Sequence, residues 1–151
     1  MKQTTRFLSR RRVILASVAI GTGAALVFFR PCPQFDGVNI DAPAAYAGAA
    51  ADTLTLIDIR RPDEWQTTGI GRGAHPMDMC ADDFSQTLLA LVQGNIAAPI
   101  ALICARGVRS ARLSNRLRSA GFGGITNVPE GMLVAAEGPG WIARGLPLQK
   151  V

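Results

Sequence analysis

Residues 99–110 read Pro99-Ile100-Ala101-Leu102-Ile103-Cys104-Ala105-Arg106-Gly107-Val108-Arg109-Ser110. The run before the cysteine is continuously apolar and of strand length, the pattern of a strand covered on both faces. From Ser110 to Ala120 the pattern turns helical, with Leu113, Leu117 and Ala120 on one stripe and Gly121 as the expected stop. Strand, short turn and helix in that order predict a parallel sheet packed between helices, with ligands at the carboxyl ends of its strands.

The same alternation continues on both sides. Asp41 to Ala51 is alanine-rich and helix-compatible, and it leads into the strand-length run from Thr53 to Ile59. Gly69 to Ala74 is a glycine-rich turn, and Phe84 to Val92 carries apolar residues at 84, 88, 91 and 92, the one-face spacing of an amphipathic helix. Ile125 to Val128 is a further short strand, and a Gly/Pro-punctuated tail contains Trp141. No internal repeat is present. The fold class expected for residues 38–151 is therefore α/β, an open parallel sheet flanked by helices.

The chain has 151 residues, 48% of them hydrophobic and 18% charged, which suits one domain with a real core and excludes global disorder. Its net charge of +5 comes from one end. Residues 1–30 hold 6 of the 16 basic side chains and no acidic one, leaving 10 basic against 11 acidic in the remainder, a net of −1. A body so near neutrality carries no general polyanion footprint, so no nucleic-acid partner is expected.

Residues 1–30 have the make-up of a targeting or anchoring segment. Arg10, Arg11 and Arg12 precede Val13 to Phe29, an uncharged apolar run. Ser9-Arg10-Arg11-Arg12-Val13-Ile14 is similar to the box of twin-arginine export signals. At 1.5 Å per residue the run reaches roughly 25 Å, short for a bilayer core of about 30 Å unless the flanking arginines snorkel. It is expected to meet the membrane through residues 13–29, either as an uncleaved hydrophobic helix or as a removed export signal. Residues 31–37, with Pro31 and Pro33, are expected to be a linker. Positive charge before the apolar run places the body outside the cytoplasm, on the bacterial inner membrane facing the periplasm, or free in the periplasm after cleavage.

The chemistry is expected at Cys104. A cysteine between a buried strand and a helix sits where backbone N–H groups and the positive end of a helix dipole converge. Gly107 lets the backbone curl closely, and Arg106 and Arg109 add positive charge, so a thiolate at Cys104 is expected to be stabilised as a nucleophile. The plainer alternative is a buried free cysteine at a strand end.

The body resembles a rhodanese domain, a sulfurtransferase fold, from about Val38 to Leu148. The resemblance rests on Leu56-Ile57-Asp58-Ile59-Arg60 with Pro62, Glu64 and Trp65, on Gly73-Ala74, on Cys104 to Ser110, on Gly121-Phe122, on Glu130-Gly131-Met132, and on Gly140-Trp141 with Gly145-Leu146-Pro147. It implies a sulfurtransferase in which Cys104 takes a sulfane sulfur from a small anionic donor such as thiosulfate. A persulfide forms there, and the sulfur passes to a thiol or cyanide acceptor. It further implies that Ala105, Arg106, Gly107, Val108 and Arg109 bind the substrate, that Asp58 and Arg60 support neighbouring loops, and that no metal or organic cofactor takes part. Phosphatase and arsenate-reductase relatives use Cys-x-x-x-x-x-Arg, whereas Cys104 to Arg109 is one residue shorter, which favours sulfur over phosphate. Two other readings use the same residues: a non-catalytic persulfide relay serving a partner protein, and an exported thiol redox protein pairing Cys104 with Cys80.

The remaining candidates read more plainly. Arg112, Arg116 and Arg118 are expected on a solvated helix face, Trp65 and Trp141 in the packing, and His75 in a loop. The three cysteines, an odd number, make no closed disulfide framework. Cys80 reads as an isolated residue, and Cys32 lies near the membrane segment.

Overall fold

In the computed structural model, which describes residues 34–151, the order of elements is β1 (Val38–Asn39), α1 (Ala42–Ala50), β2 (Thr55–Asp58), α2 (Pro62–Thr68), β3 (Ile70–Gly71), β4 (Ala74–Pro76), α3 (Phe84–Leu91), β5 (Ile100–Ile103), α4 (Val108–Ser119), β6 (Ile125–Val128), α5 (Gly140–Ala143) and β7 (Leu148–Gln149). Five strands form one parallel sheet in the order β1-β6-β5-β2-β4. The small β3 and β7 pair antiparallel beside it.

The apolar run that decides the fold is the centre of the sheet. Every residue of β5 is buried, with Ile100 to Ile103 in register with Thr55 to Asp58 on one side and with Ile125 to Val128 on the other. Successive side chains leave opposite faces. Ile57, Ile100 and Leu102 pack with Phe84 and Leu88 of α3 and Leu113 and Leu117 of α4. Leu56, Ala101, Ile103 and Val128 pack with Ala42 and Ala45 of α1 and Trp141 of α5. The expected α/β architecture is thus present, and each fully buried large aliphatic side chain contributes about 1.5–3 kcal/mol.

Local signals account for the helix starts. Asp41 caps α1, its Oδ1 accepting the Ala44 N–H at 2.8 Å, and Pro43 stands in the first turn where no N–H is required. Helix α2 was not expected, because its sequence buries a single residue, Trp65. Pro62 in its first turn and the Glu64 carboxylate, which accepts the Arg61 N–H at 3.1 Å, hold it instead of an apolar stripe.

Three further differences concern the expected boundaries. Helix α4 begins at Val108, two residues before Ser110, because Gly107 adopts φ 81° and turns the chain directly into the helix. Phe35, expected in a linker, is buried against the α4 side of the core, with the Arg118 guanidinium 5.5 Å from its ring centre. His75, expected in a loop, lies on the edge strand β4 and is exposed. Among the described residues no helix is long and apolar enough to cross a membrane. The expected signal or anchor at residues 1–30, including the apolar run 13–29, and Cys32 lie outside the described residues.

Candidate active site at the start of α4

Cys104 is the first residue after β5, and residues 104–107 carry the chain from strand to helix. With the helix starting at Val108, Ser110 falls in its first turn, where a backbone N–H has no acceptor within the helix. That N–H donates to Cys104 Sγ at 3.4 Å. The Ser110 hydroxyl lies 3.6 Å from the sulfur while donating to the Gly107 carbonyl at 2.9 Å, so it is oriented to accept from the thiol. Cys104 and Ser110 are both buried, at 1% and 0% exposure, which leaves the sulfur recessed in its loop. Ser110 was not among the expected site residues. The displaced helix start hid it, and Gly107, a residue suited to a left-handed cap, was the signal that would have moved the boundary.

The carbonyls of Cys104 and Ala105 are held by the neighbouring loop. The Met132 N–H donates to the Cys104 carbonyl and the Leu133 N–H to the Ala105 carbonyl, both at 2.8 Å. Among the described residues the N–H groups of 105–109 meet no backbone carbonyl. Amides without acceptors at a helix start are suited to receive an anion. The close approach of the two loops requires glycine at 131: its φ is 67°, and a Cβ there would stand 2.6 Å from the Ala105 carbonyl oxygen. Glu130, 1% exposed, fixes that second loop by accepting from the backbone N–H of Ala42 at 2.6 Å and of Gly140 at 3.0 Å and from Arg144 Nε at 2.8 Å. Burial pushes its carboxyl upward, and these hydrogen bonds outweigh that and hold it below the usual carboxylate range.

Arg109 is not the free surface charge that its place in the loop suggested. Its guanidinium grips Glu64 of α2 in a two-pronged pair, Nη1 to Oε2 at 2.7 Å and Nη2 to Oε1 at 2.6 Å. The Arg109 side chain is 32% exposed. The physical reason is that α2, absent from the sequence reading, lies beside the loop and presents a carboxylate. Glu64 is thereby pulled from the ordinary 4.5 to about 2, first by the Arg109 hydrogen bond, against burial, with help from the Arg61 amide. Arg109 is held protonated by Glu64 before all else, and in lesser part by the neighbouring Cys104 sulfur. Arg106 is exposed and, among the described residues, makes no ion pair, while Ala105 and Val108 are half-buried walls of the loop.

A lowered carboxyl links stability to pH. The Glu64–Arg109 pair contributes fully above the ordinary carboxyl value of 4.5, and its contribution is lost as pH falls through about 2. Glu64→Gln is therefore expected to melt several degrees below the parent at neutral pH, with the gap closing between about pH 5 and pH 2. Thermal melts across that range check it, and a constant gap would remove the linkage.

Asp58 and Arg60, which the resemblance gave a supporting role toward neighbouring loops, pair with each other at the end of β2. Arg60 Nε donates to Asp58 Oδ1 at 2.9 Å and Nη2 to Oδ2 at 2.7 Å, with the two side chains 1% and 0% exposed. The same guanidinium donates to Thr68 Oγ1 at 2.8 Å and to the Gly69 carbonyl at 2.7 Å, clamping the end of α2 to the end of β2. This brace positions Glu64 rather than touching the sulfur. Cys80 lies in an exposed turn, its N–H donating to Asp78 Oδ1 at 2.9 Å, and it is free, as is Cys104.

The family model of the rhodanese-like domain matches residues 41–134, well over half of the chain. The chain belongs to the rhodanese-like family. A Wolinella succinogenes polysulfide-sulfur transferase, a homodimer, is 27% identical, with a TM-score of 0.58 over 76% of this chain and 79% of that one. A Mycobacterium tuberculosis protein is 25% identical, with a TM-score of 0.57 over 76% of this chain and 98% of that one. An uncharacterized Rickettsia rickettsii protein is 28% identical over 104 residues, 65% of this chain and 85% of that protein. The match to the rhodanese-like domain takes in β2, the brace at Asp58 and Arg60, the whole Cys104 loop and the loop at Glu130.

Proposed function

We propose that this rhodanese-like domain is a sulfurtransferase that carries sulfane sulfur as a persulfide on Cys104. The observation that carries the reading is the Ser110 N–H aimed at Cys104 Sγ within a loop whose remaining amides meet no carbonyl among the described residues. The Cys104 thiolate attacks the outer sulfur of thiosulfate, the sulfur–sulfur bond breaks, and sulfite leaves with the bonding electrons. The loop amides and the helix start hold the anionic terminal sulfur that results. A thiolate or cyanide then attacks that sulfur and departs as a persulfide or thiocyanate, which regenerates the Cys104 thiolate. Arg106 supplies the free positive charge at the mouth, and Arg109, neutralised by Glu64, sets the loop's shape. The similarity to the Wolinella succinogenes sulfur transferase supports this chemistry.

Mass spectrometry of the full chain after incubation with thiosulfate tests it. The parent is expected to gain one sulfur atom and Cys104→Ser none. Steady release of thiocyanate with cyanide separates turnover from relay to a partner protein, and a Cys104→Ser chain that still gains sulfur would overturn the assignment.

We further propose that residues 13–29 deliver the domain to the bacterial inner membrane, with the body on the periplasmic side or released there by cleavage. Five of the six N-terminal basic residues precede the apolar run, which supports that orientation. Alkaline phosphatase fused after Val151 is expected to be active in a bacterial host, with the domain open to protease in spheroplasts. A protected, inactive fusion would overturn the topology and leave the sulfur chemistry untouched.

A further inference from the structure

Beside the sulfur loop lies a cleft of about 320 Å³, walled by Phe35, Asn39, Arg106, Val108, Asn127 and Glu137 among others. Cys104 is not among its walls, and the cleft adjoins the sulfur loop through Arg106, Gly107 and Val108. Two groups in it carry a charge with no ion-pair partner among the described residues. The Arg106 guanidinium and the Glu137 carboxylate are exposed and form no ion pair among the described residues, with each other or with any other side chain. Asn127 is 2% exposed, donates through Nδ2 to Asn39 Oδ1 at 2.8 Å, and has an Oδ1 with no partner among the described residues. That oxygen has no exposed surface, so the contacts to a ligand fall to the two charged groups.

We propose that this cleft binds a small zwitterion of the α-amino-acid type, its carboxylate on Arg106 and its ammonium on Glu137. A simple anion would meet Glu137 on the same wall, and a simple cation would meet Arg106. A molecule with both charges answers each. The space is worth roughly ten waters at about 30 Å³ each, ample for an amino acid. Phe35, Val108 and the neighbouring Ala111 and Pro129 supply an apolar floor for a short side chain. If the occupant carries a thiol it is an acceptor for the sulfur on Cys104, and this part rests on the sulfurtransferase reading. The binding itself does not.

Calorimetric titration of the full chain with L-serine, L-cysteine and 2-mercaptoethanol tests the proposal. Serine and cysteine are expected to bind with similar affinity and mercaptoethanol not at all. Glu137→Gln, an exposed change outside the sulfur loop, is expected to weaken both amino acids at least about tenfold while thiosulfate still loads Cys104 at the parent rate. Absence of serine binding, mercaptoethanol binding as tight as cysteine, or an unchanged affinity in Glu137→Gln would each overturn it. Serine binding in a chain that thiosulfate cannot load would sustain the cleft and remove the sulfurtransferase reading. A raised KM for cysteine as acceptor in Glu137→Gln, with kcat unchanged, supports the acceptor as the occupant.

Discussion

Gly107→Ala is expected to load sulfur from thiosulfate about 100-fold more slowly than the parent, the scale on which an ångström-sized misplacement of reacting groups acts. Two constraints meet at this residue. Its φ of 81° lies in the left-handed region, which costs a side-chain-bearing residue about 1–2 kcal/mol. A Cβ would also overlap the Pro129 carbonyl of the neighbouring loop. The carbonyl belongs to backbone between β6 and the fixed Glu130, so the sulfur loop has to give way. Relief by a loop shift would carry the Ser110 N–H off the sulfur. Single-turnover loading followed by mass spectrometry reads the effect, and circular dichroism shows whether the domain stays folded. A variant loading within threefold of the parent would contradict the cradle geometry.

Asp58→Ala is expected to lower the unfolding free energy by about 3–5 kcal/mol, because it strands the Arg60 charge in the interior. Small domains have only about 5–15 kcal/mol in hand, so the variant sits near the edge of stability. The damage extends to the site, since the Arg60 clamp on Thr68 and Gly69 fixes the helix that presents Glu64 to Arg109. Urea unfolding gives the loss directly. Combining Asp58→Ala with Arg60→Met is expected to recover part of it by removing the stranded charge. A loss under about 1 kcal/mol in the single variant would show that Arg60 finds another partner or reaches water.

Long-range apolar order was readable in this chain, and short-range polar order was not. The run Ile100 to Ile103 and the stripe of Leu113 and Leu117 announced a buried strand and the helix after it, and those elements form the centre of the fold. The cysteine at their junction was equally plain, whereas the Asp58–Arg60 pair shows only in the structure. Helix α2 carries no periodic signal, because a proline, a carboxylate cap and one buried tryptophan make it, none of which repeats with helical period. Without that signal nothing in the sequence relates Glu64 to Arg109, a partner 45 residues away. Strands β1, β3 and β7 span two residues each, too short for alternation to show, and their partners fix them.

The pinning of the Cys104 and Ala105 carbonyls by Met132 and Leu133 has a consequence for synthesis. During translation the cysteine emerges well before the segment that shapes its loop, and that segment depends in turn on Trp141 and Ile142, whose amides donate to Gly131 and Met132 at 2.9 and 3.1 Å. Until those residues leave the ribosome the thiol has β5 behind it but no finished receptor around it. The Cys104 loop is therefore completed only with closure of the C-terminal third, and in a nascent or truncated chain Cys104 stands at a strand end without the loop contacts that surround it in the folded domain.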